Sequence, residues 1–326
     1  MILFYAPQME ELARAIARYS CEQIDIIQSR GGSIELGKIS WEKFDNQTPH
    51  TAVENAHRIR GQRVGFLASF DQRRSNCDAT LPHAGFFQQM CVVQALPKQL
   101  ADTVRVILPY FSFGPKDRAD FFGDIVNAKG AARIISGIPA CHGGGPPLLV
   151  TYDIHALQEE HYFGDGIIVD SKHAHALIRK EVEQTFDCKR TVIVFPDAGA
   201  RKRYGADWAD FRQVVCEKVR TGNTSIVRIA EGDAQACDAL IVDDQFRTCG
   251  TTVSCADALI GNGARSVSAF AVHGDFSDGA WNKLTPDLFK TVYLTDSCPF
   301  AVNAVRNLKH FKVLSLAPML AEDLTW

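Results

Sequence analysis

The stretch of sequence that decides the fold is ALIVDDQFRTCGTT, residues 239–252. An apolar run ends at Val242, two adjacent carboxylates follow at Asp243 and Asp244, and the chain then enters a turn rich in Thr and Gly. A short apolar run that ends in turn residues is typical of a buried strand in a parallel sheet. Open α/β sheets bind ligands beyond the carboxyl ends of their strands. The stretch therefore predicts a binding site at the end of this strand.

Similar apolar runs recur along the chain. They are RVGFLASF (63–70), VRVILPYF (104–111), PLLVTYDI (147–154), TVIVFPD (191–197) and SVSAFAVH (266–273). Amphipathic stretches such as MEELARAIARYS stand between them. This alternation predicts an α/β fold, in which mostly parallel sheets are flanked by helices. The runs of the first half echo those of the second half in position and character. We therefore predict two tandem domains, residues 1–165 and 166–326.

The composition is that of a protein with a large apolar core and a mixed surface. The 326 residues are 46% hydrophobic and 22% charged, with a net charge of −3. That charge argues against a nucleic-acid partner. No apolar run approaches the roughly 18 residues of a membrane-spanning helix, and the N-terminus does not resemble a secretory signal. The ten cysteines are scattered without a C-x-x-C pair, which favours reduced thiols and a cytoplasmic location over disulfides or a cysteine zinc site.

The turn after the two aspartates is suited to an anion. RTCGTT offers backbone N–H groups, hydroxyls and a glycine at the start of a predicted helix, where the partial positive charge of the helix attracts phosphate. A sugar phosphate would satisfy both parts of the stretch, with its phosphate in the turn and its hydroxyls, or a metal, on the carboxylates. The alternative is structural, in which two solvated acids cap a helix.

The spacing acid–acid–x–x–x–Thr–x–Gly–Thr after an apolar strand resembles the phosphoribosyl-diphosphate binding loop of type I phosphoribosyltransferases. This resemblance implies that each tandem domain has the phosphoribosyltransferase-like fold. It also implies that Asp243 and Asp244 hold a ribose. The 5-phosphate would then bind to the loop residues Thr248, Cys249, Gly250 and Thr251.

Three further segments resemble one family, the ribose-phosphate diphosphokinases. They are YDIHALQEEHYF (152–163), VIVFPDAGARKR (192–203) and CEKVRTGN (216–223). In that family the histidine and the aspartate that match His155 and Asp197 serve the magnesium on ATP. The pair that matches Lys218 and Arg220 stabilises the transferring diphosphoryl group from a flexible catalytic arm. The resemblance runs from about Lys38 nearly to the C-terminus.

Each of these residues also has a structural interpretation when it is considered alone. His155 and Asp197 suit turns after strands, and Lys218 with Arg220 suits a solvated helix end. The basic run 201–203 has two interpretations, an anion site or a face toward water, of which the second is slightly favoured. Catalytic and metal-binding roles are favoured only because all of the segments occur together, in the same order along the chain as in the family.

The family's adenine clasp is altered in this chain. FDNQT keeps Phe44 and Asn46 as nucleotide-binding residues, but Thr48 stands where a glutamate is usual. Pro115 and Lys116 replace an Arg-Gln pair. These changes resemble the plant-type class II branch, which accepts several nucleoside triphosphates. Loss of a carboxylate that bonds the base would relax the choice of donor.

The resemblance implies an enzyme that uses Mg²⁺ to transfer the β,γ-diphosphoryl group of ATP, or of another nucleoside triphosphate, to ribose 5-phosphate. It also implies a homo-oligomer, since the adenine clasp reaches a neighbouring subunit. Two alternatives stay open. One is a catalytically silent homologue that assembles with active subunits, and the other is a phosphoribosyltransferase that consumes phosphoribosyl diphosphate. The second leaves the histidine and the Lys-x-Arg pair unexplained.

Overall fold

The strands predicted from the sequence lie in two sheets, one in each of two units of the chain. The computed structural model describes residues 1–22, 33–46, 48–70, 84–114, 116–221 and 224–325. The first unit comprises Met1–Lys172 and Ser315–Trp326, and the second comprises His173–Leu314. Both sheets are mostly parallel and alternate with helices along the chain, which confirms the predicted α/β fold class.

The first unit has a parallel sheet and a separate hairpin. Its strands are β1 (Ile2–Tyr5), β2 (Glu35–Leu36), β3 (Ile39–Lys43), β4 (Pro49–Val53), β5 (Arg63–Leu67), β6 (Thr103–Leu108), β7 (Leu148–Tyr152) and β8 (Ile168–Lys172). Six of them form the sheet in the order β2-β1-β5-β6-β7-β8, and every pairing in it is parallel. Strands β3 and β4 pair with each other in the antiparallel hairpin.

Helices connect the parallel strands of the first unit. They are α1 (Glu10–Glu22), α2 (Ala84–Lys98) and α3 (Asn127–Ile135). Leu12 and Ile16 lie one turn apart on α1 and are buried, so the helix presents one apolar face to the core. Burying an aliphatic side chain of this size contributes about 1.5–3 kcal/mol. Glu10 and Glu11 in the first turn complement the positive end of the helix dipole.

The second unit has a seven-stranded sheet. Its strands are β9 (Thr191–Phe195), β10 (Arg212–Thr221), β11 (Thr224–Glu231), β12 (Asp238–Gln245), β13 (Ser266–His273), β14 (Val292–Thr295) and β15 (Phe311–Leu314). The order is β11-β10-β9-β12-β13-β14-β15, and only the pair β10–β11 is antiparallel. All residues of β9 are buried, as expected for a central strand covered on both faces.

The order of these strands creates a switch point between β9 and β12. From β9 the chain proceeds to β10 on one side, and it later returns to place β12 on the other side. The helices that follow the strands are α4 (His175–Thr185), α5 (Ala198–Tyr204), α6 (Gly250–Gly261) and α7 (Pro299–Val305). Helices α5 and α6 begin just after β9 and β12. Their connections therefore diverge at the switch point and leave a crevice beyond the carboxyl ends of the strands.

The division of the chain differs from the predicted boundary between residues 165 and 166 in two respects. Strand β8 pairs with β7, so residues up to Lys172 belong to the first unit. The C-terminal helix α8 (Ala317–Thr325) also belongs to the first unit, where it packs against α1. Asp323 of α8 accepts hydrogen bonds from the hydroxyl of Tyr152, which is buried, and from the ammonium of Lys172, which is partly buried. Both contacts hold α8 against the first sheet.

Candidate active site

Asp243 and Asp244 lie at the carboxyl end of β12, at the switch point of the second sheet. Asp244 is 8% exposed, and its backbone N–H donates to Oδ1 of Asp243 over 2.9 Å. Burial raises the pKa of Asp243 well above its ordinary value, and the neighbouring charge of Asp244 raises it further. Two acids in such surroundings resist holding two negative charges, so the site favours a cation or a hydrogen-bond donor as its ligand.

Arg203 supplies a cation to this acid pair. Its Nη1 atom lies 3.9 Å from Oδ2 of Asp244, and its guanidinium lies over the ring of Tyr204 at 5.2 Å from the ring centroid. The interpretation of residues 201–203 as a solvated run is therefore wrong for Arg203. It holds for Arg201 and Lys202, which are exposed. Arg203 comes from α5, so the short helix after β9 places a positive charge beside the end of β12.

Asp197 also comes from the connection after β9. It is the N-cap of α5, and its Oδ1 accepts a hydrogen bond from the N–H of Ala200 over 2.8 Å. The residue is exposed, and its charge is among those that raise the pKa of Asp243. The structure thus brings Asp197 together with Asp243 and Asp244 on the two sides of the switch point. A capping role and a role toward a ligand are compatible, because Oδ2 takes no hydrogen bond from the described residues.

After Asp244 the chain turns sharply into α6 through residues 246–251, which we call the anion loop. Cys249 has a φ of 58°, in the left-handed region, and it is the N-cap of the helix. Its thiol is buried, and burial raises its pKa to about 12, so it stays a protonated thiol near neutral pH. Thr248, Gly250 and Thr251 are exposed. A residue in the left-handed region before a helix produces a concave run of N–H groups that is able to bind an anion.

Lys218 and Arg220 lie in a strand, not at the helix end that their residue types suggest in isolation. Both belong to β10, which pairs with β11 so that Lys218 faces Val227 and Arg220 faces Ser225 in the register. Lys218 is exposed, and the side chain of Arg220 lies outside the described part of the structure. The alternation of side chains along a strand places Glu217 on the opposite face from Lys218, where it pairs with Arg228 over 2.6 Å. We call β10 and β11 the arm hairpin.

His155 lies in the first unit, three residues after the end of β7. Its side chain is exposed, whereas Asp153 just before it is buried with a φ of 41°. Glu159 follows one turn later and is fully buried. A Cβ atom built on Gly114 would lie 3.2 Å from the Cβ of His155 and 3.2 Å from both carboxylate oxygens of Glu159. Gly114 therefore permits a close approach of its backbone to the segment that carries His155.

The two predicted nucleotide-binding residues, Phe44 and Asn46, lie at the tip of the β3–β4 hairpin in the first unit. The Phe44 ring is 53% exposed and stacks on His50, with ring centroids 4.6 Å apart. The Asn46 side chain accepts from the N–H of Thr48 over 3.0 Å. The hairpin tip thus presents an aromatic face to solvent. The positions Gln47 and Pro115 lie outside the described residues.

Two buried thiols near the acid pair were not singled out by the sequence. Cys216 of β10 and Cys255 of α6 are fully buried, and their thiols influence each other's pKa. Their interaction lowers the pKa of Cys216 and raises that of Cys255. The nine cysteines that the structure describes are all free thiols. The pair therefore packs the root of the arm hairpin against the helix that follows the anion loop.

The described residues offer few clustered metal ligands. No group of three or more His, Cys, Asp or Glu side chains among them is arranged to hold a metal ion. In the described part of the chain, no helix is long and apolar enough to span a membrane.

An acid pair at a switch point, followed by a Thr-Cys-Gly-Thr loop that opens a helix, defines the class of type I phosphoribosyltransferase-like proteins. Residues 1–138 match the model of the N-terminal domain of ribose phosphate pyrophosphokinase. The chain is 38% identical to ribose-phosphate pyrophosphokinase 3, chloroplastic, of Oryza sativa subsp. japonica, over 99% of this chain and 76% of that protein. It is also 38% identical to ribose-phosphate pyrophosphokinase 4 of Arabidopsis thaliana, over 99% of this chain and 91% of that protein.

The fold agrees with this relationship. The crystal structure of phosphoribosylpyrophosphate synthetase from Mycobacterium smegmatis matches with a TM-score of 0.79 and 23% identity, over 99% of this chain and 97% of that one. The chain belongs to the ribose-phosphate pyrophosphokinase family. The resemblance found in the sequence is thus confirmed, together with the prediction of two phosphoribosyltransferase-like domains.

Proposed function

We propose that the protein transfers the β,γ-diphosphoryl group of ATP to the C1 hydroxyl of ribose 5-phosphate, giving phosphoribosyl diphosphate and AMP. The observation that carries the proposal is the acid pair next to the anion loop at the end of β12. In the reaction the C1 oxygen forms a bond to the β-phosphorus, and the bond from that phosphorus to the oxygen bridging the α-phosphorus breaks. The hydroxyl proton is released, and AMP leaves with the bridging oxygen.

The second unit supplies the groups for the sugar and for the transferring group. The proposed role of Asp243 and Asp244 is to accept hydrogen bonds from the ribose hydroxyls. The proposed role of residues 248–251 is to bind the 5-phosphate through backbone N–H groups and hydroxyls. The pair Lys218 and Arg220 is proposed to stabilise the negative charge that spreads over the diphosphoryl oxygens, which is the main catalytic requirement of such a transfer.

Magnesium is the proposed metal. Bound to the phosphates of ATP, it would neutralise their charge and fix their geometry. His155 in the first unit and Asp197 in the second are the residues proposed to serve it. Asp197 is suited to this role because it is exposed and has a carboxylate oxygen that no described residue engages. His155 is likewise exposed, on a short loop after β7.

The donor site is proposed to lie in the first unit, at Phe44 and Asn46. Exposure of the Phe44 ring supports a stacking role toward a base. Because Thr48 cannot accept a hydrogen bond from a base as strongly as a carboxylate does, we propose that the enzyme accepts nucleoside triphosphates besides ATP. We also propose a homo-oligomer that acts in the cytoplasm, where the free thiols of the described cysteines would stay reduced.

A direct assay tests the proposal. The purified protein is incubated with ribose 5-phosphate, Mg²⁺ and ATP, and AMP and phosphoribosyl diphosphate are followed by ³¹P NMR. Equal amounts of both products are expected, and neither should form without Mg²⁺ or with ribose in place of ribose 5-phosphate. A protein that binds ribose 5-phosphate but forms no AMP would indicate a silent homologue. Consumption of phosphoribosyl diphosphate with a free base would indicate a phosphoribosyltransferase.

A further inference from the structure

A segment at 277–283 supports the anion loop from one side. This segment follows β13 and contains two residues in the left-handed region, Asp278 (φ 48°) and Gly279 (φ 72°). The backbone N–H and the side-chain hydroxyl of Ser277 both donate to the carbonyl oxygen of Arg247, over 3.0 and 3.2 Å. The ammonium of Lys283 donates to the carbonyl oxygen of Thr248 over 2.9 Å. Two consecutive carbonyl groups of the loop are thus engaged by one segment, which we call the bracket.

The bracket is itself held firmly at both ends. Phe276, just before it, is buried and stacks on Phe246 at the start of the anion loop, with ring planes 10° apart and centroids 6.1 Å apart. Leu284, just after it, has its carbonyl oxygen bonded to Nε2 of His310 over 2.7 Å. The bracket therefore has a fixed position relative to the loop, and it does not rely on the long Lys283 side chain alone.

The geometry of the peptide group determines the direction of the loop's N–H groups. A trans peptide is planar, and its C=O and N–H point in opposite directions. Because the carbonyls of Arg247 and Thr248 point toward the bracket, the N–H groups of Thr248 and Cys249 point away from it. Neither N–H donates to any residue in the described part of the chain. Both are therefore available on the face of the loop opposite the bracket.

The N–H groups of the next three residues, 250–252, also lack a hydrogen-bond acceptor within the helix. The first hydrogen bond within α6 runs from Val253 N to the carbonyl oxygen of Cys249. The left-handed conformation of Cys249 joins them to the two N–H groups that the bracket orients. The result is a continuous series of donors that is shaped before any anion arrives.

We propose that Lys283 and Ser277 are positioning residues that hold the loop in its phosphate-binding shape by keeping two of its carbonyl oxygens away from the ligand. The inference rests on the proposed function, because it takes the 5-phosphate of ribose 5-phosphate as the anion. Without the ammonium of Lys283, the Thr248 carbonyl is free to rotate toward the phosphate, and a carbonyl dipole there repels the anion. Binding of the sugar phosphate is then weakened, whereas binding of ATP is not.

The test compares Lys283→Met with Lys283→Arg, which restores a charged donor, and with Lys309→Met, which removes an exposed lysine of the second unit that makes no described hydrogen bond. Affinity for ribose 5-phosphate is measured by calorimetry, together with KM for both substrates and kcat. We expect Lys283→Met to weaken ribose 5-phosphate binding by at least about tenfold, the size expected from losing a charge-assisted hydrogen bond. KM for ATP and kcat should change less than about twofold, and Lys283→Arg should recover most of the affinity.

Unchanged affinity in Lys283→Met would overturn the inference, as would an equal loss in Lys309→Met or no recovery in Lys283→Arg. If the Met variant does not fold, as judged by circular dichroism, Lys283→Gln removes the charge with a shorter polar side chain and is measured in its place. Failure of the wild-type protein to bind ribose 5-phosphate would instead overturn the proposed function. The two failures are therefore distinguishable in one set of titrations.

Discussion

Arg203 and Asp244 form a pair of opposite charges at the carboxyl end of β12 in the second unit. Nη1 of Arg203 lies 3.9 Å from Oδ2 of Asp244, and their side chains are only 12% and 11% exposed. Screening by water is weak at such exposure, so the pair interacts more strongly than one on the surface. Its role follows from the surrounding charges, because Asp197 and Asp243 add two further acids near Asp244, the residue beside which Arg203 lies.

The first prediction concerns Arg203→Met. Removal of this cation makes the ionised form of the acid pair less favourable, so the carboxylates take up protons at a higher pH. If ionised carboxylates are needed to hold the ribose, the acid limb of the pH–activity profile should move upward by about one pH unit. The measurement is kcat/KM for ribose 5-phosphate between pH 5 and 9. Arg201→Met is the matched control, because Arg201 pairs with exposed Glu231. Identical acid limbs in both variants would contradict the prediction.

The second prediction concerns Asp243→Asn and stability. Burial raises the pKa of Asp243, so the folded state holds a proton that the unfolded state, with a pKa of about 3.9, releases as pH rises. Stability is therefore lost as pH rises from that value through the folded pKa. An amide carries no such cost and still accepts the hydrogen bond from Asp244 N. We expect a higher Tm for the variant at pH 7, by on the order of 2–4 °C for each kcal/mol gained.

The difference in Tm between Asp243→Asn and the wild type should shrink as pH falls to about 3, because the wild-type carboxyl is then largely protonated in both the folded and the unfolded state. Differential scanning calorimetry at several pH values measures this. The control is Asp257→Asn on α6, which changes an exposed aspartate in the same unit. A variant that is less stable than the wild type at pH 7 would show that the carboxylate stabilises the fold, contrary to the prediction.

The third prediction concerns Gly114→Ala. A new Cβ would contact the Glu159 carboxylate and the Cβ of His155 at 3.2 Å, closer than ordinary packing, so these groups must move apart. We expect a loss of about 1–3 kcal/mol in the free energy of unfolding, typical of overpacking. We also expect a raised KM for the magnesium complex of ATP, with ribose 5-phosphate affinity unchanged. Substrate titrations and denaturant unfolding provide the measurements.

Gly130→Ala is the control for that substitution. Gly130 lies in α3, and a Cβ there meets nothing within 4 Å. Alanine is favoured over glycine in a helix by up to about 1 kcal/mol, so this variant should be slightly more stable and equally active. If the two variants have the same free energy of unfolding and the same KM for the magnesium complex of ATP, the close approach of Gly114 to the His155 segment contributes to neither stability nor nucleotide binding.

The strands were predictable because buried parallel strands have continuous apolar sequences. ALIVDD predicted a strand over residues 239–244, and β12 spans Asp238–Gln245. The acid pair at its end could also be located, since ligand sites of α/β sheets lie beyond the strand ends. These features depend only on local sequence, and the family relationship confirms the fold that they imply.

Arg203, Lys283 and the C-terminal helix were not predictable in the same way, because their partners are distant in the sequence. Nothing in FPDAGARKR distinguishes Arg203 from exposed Arg201 until α5 is placed beside β12. The Lys283 contact depends on the backbone path of residues 277–283, which has no periodic pattern. The return of α8 to the first unit depends on the contacts of Asp323 with Tyr152 and Lys172.

The last prediction concerns Lys218 in the arm hairpin and tests the proposed diphosphoryl transfer most directly. Lys218 is exposed on β10 and faces Val227 in the register, so its replacement by Ala removes little packing. If its ammonium stabilises the transferring group, Lys218→Ala should lower kcat by about 10³-fold, as for other cations that act on transferring phosphoryl groups. Affinity for ribose 5-phosphate and Tm should stay unchanged, because Lys218 is not assigned to the anion loop.

Arg228→Ala is the matched control on the same hairpin. Arg228 pairs with Glu217, and both residues are largely exposed, so the pair contributes at most about 1 kcal/mol to stability. This variant removes a cation from the neighbouring strand and should keep kcat within about twofold of the wild type. Rapid-quench measurement of AMP formation compares the three proteins in a single turnover. A Lys218→Ala variant whose kcat stays within tenfold of the wild type would contradict a catalytic role for Lys218. An Arg228→Ala variant whose kcat falls as far as that of Lys218→Ala would contradict it as well. Neither result is compatible with a specific ammonium at the transferring oxygens.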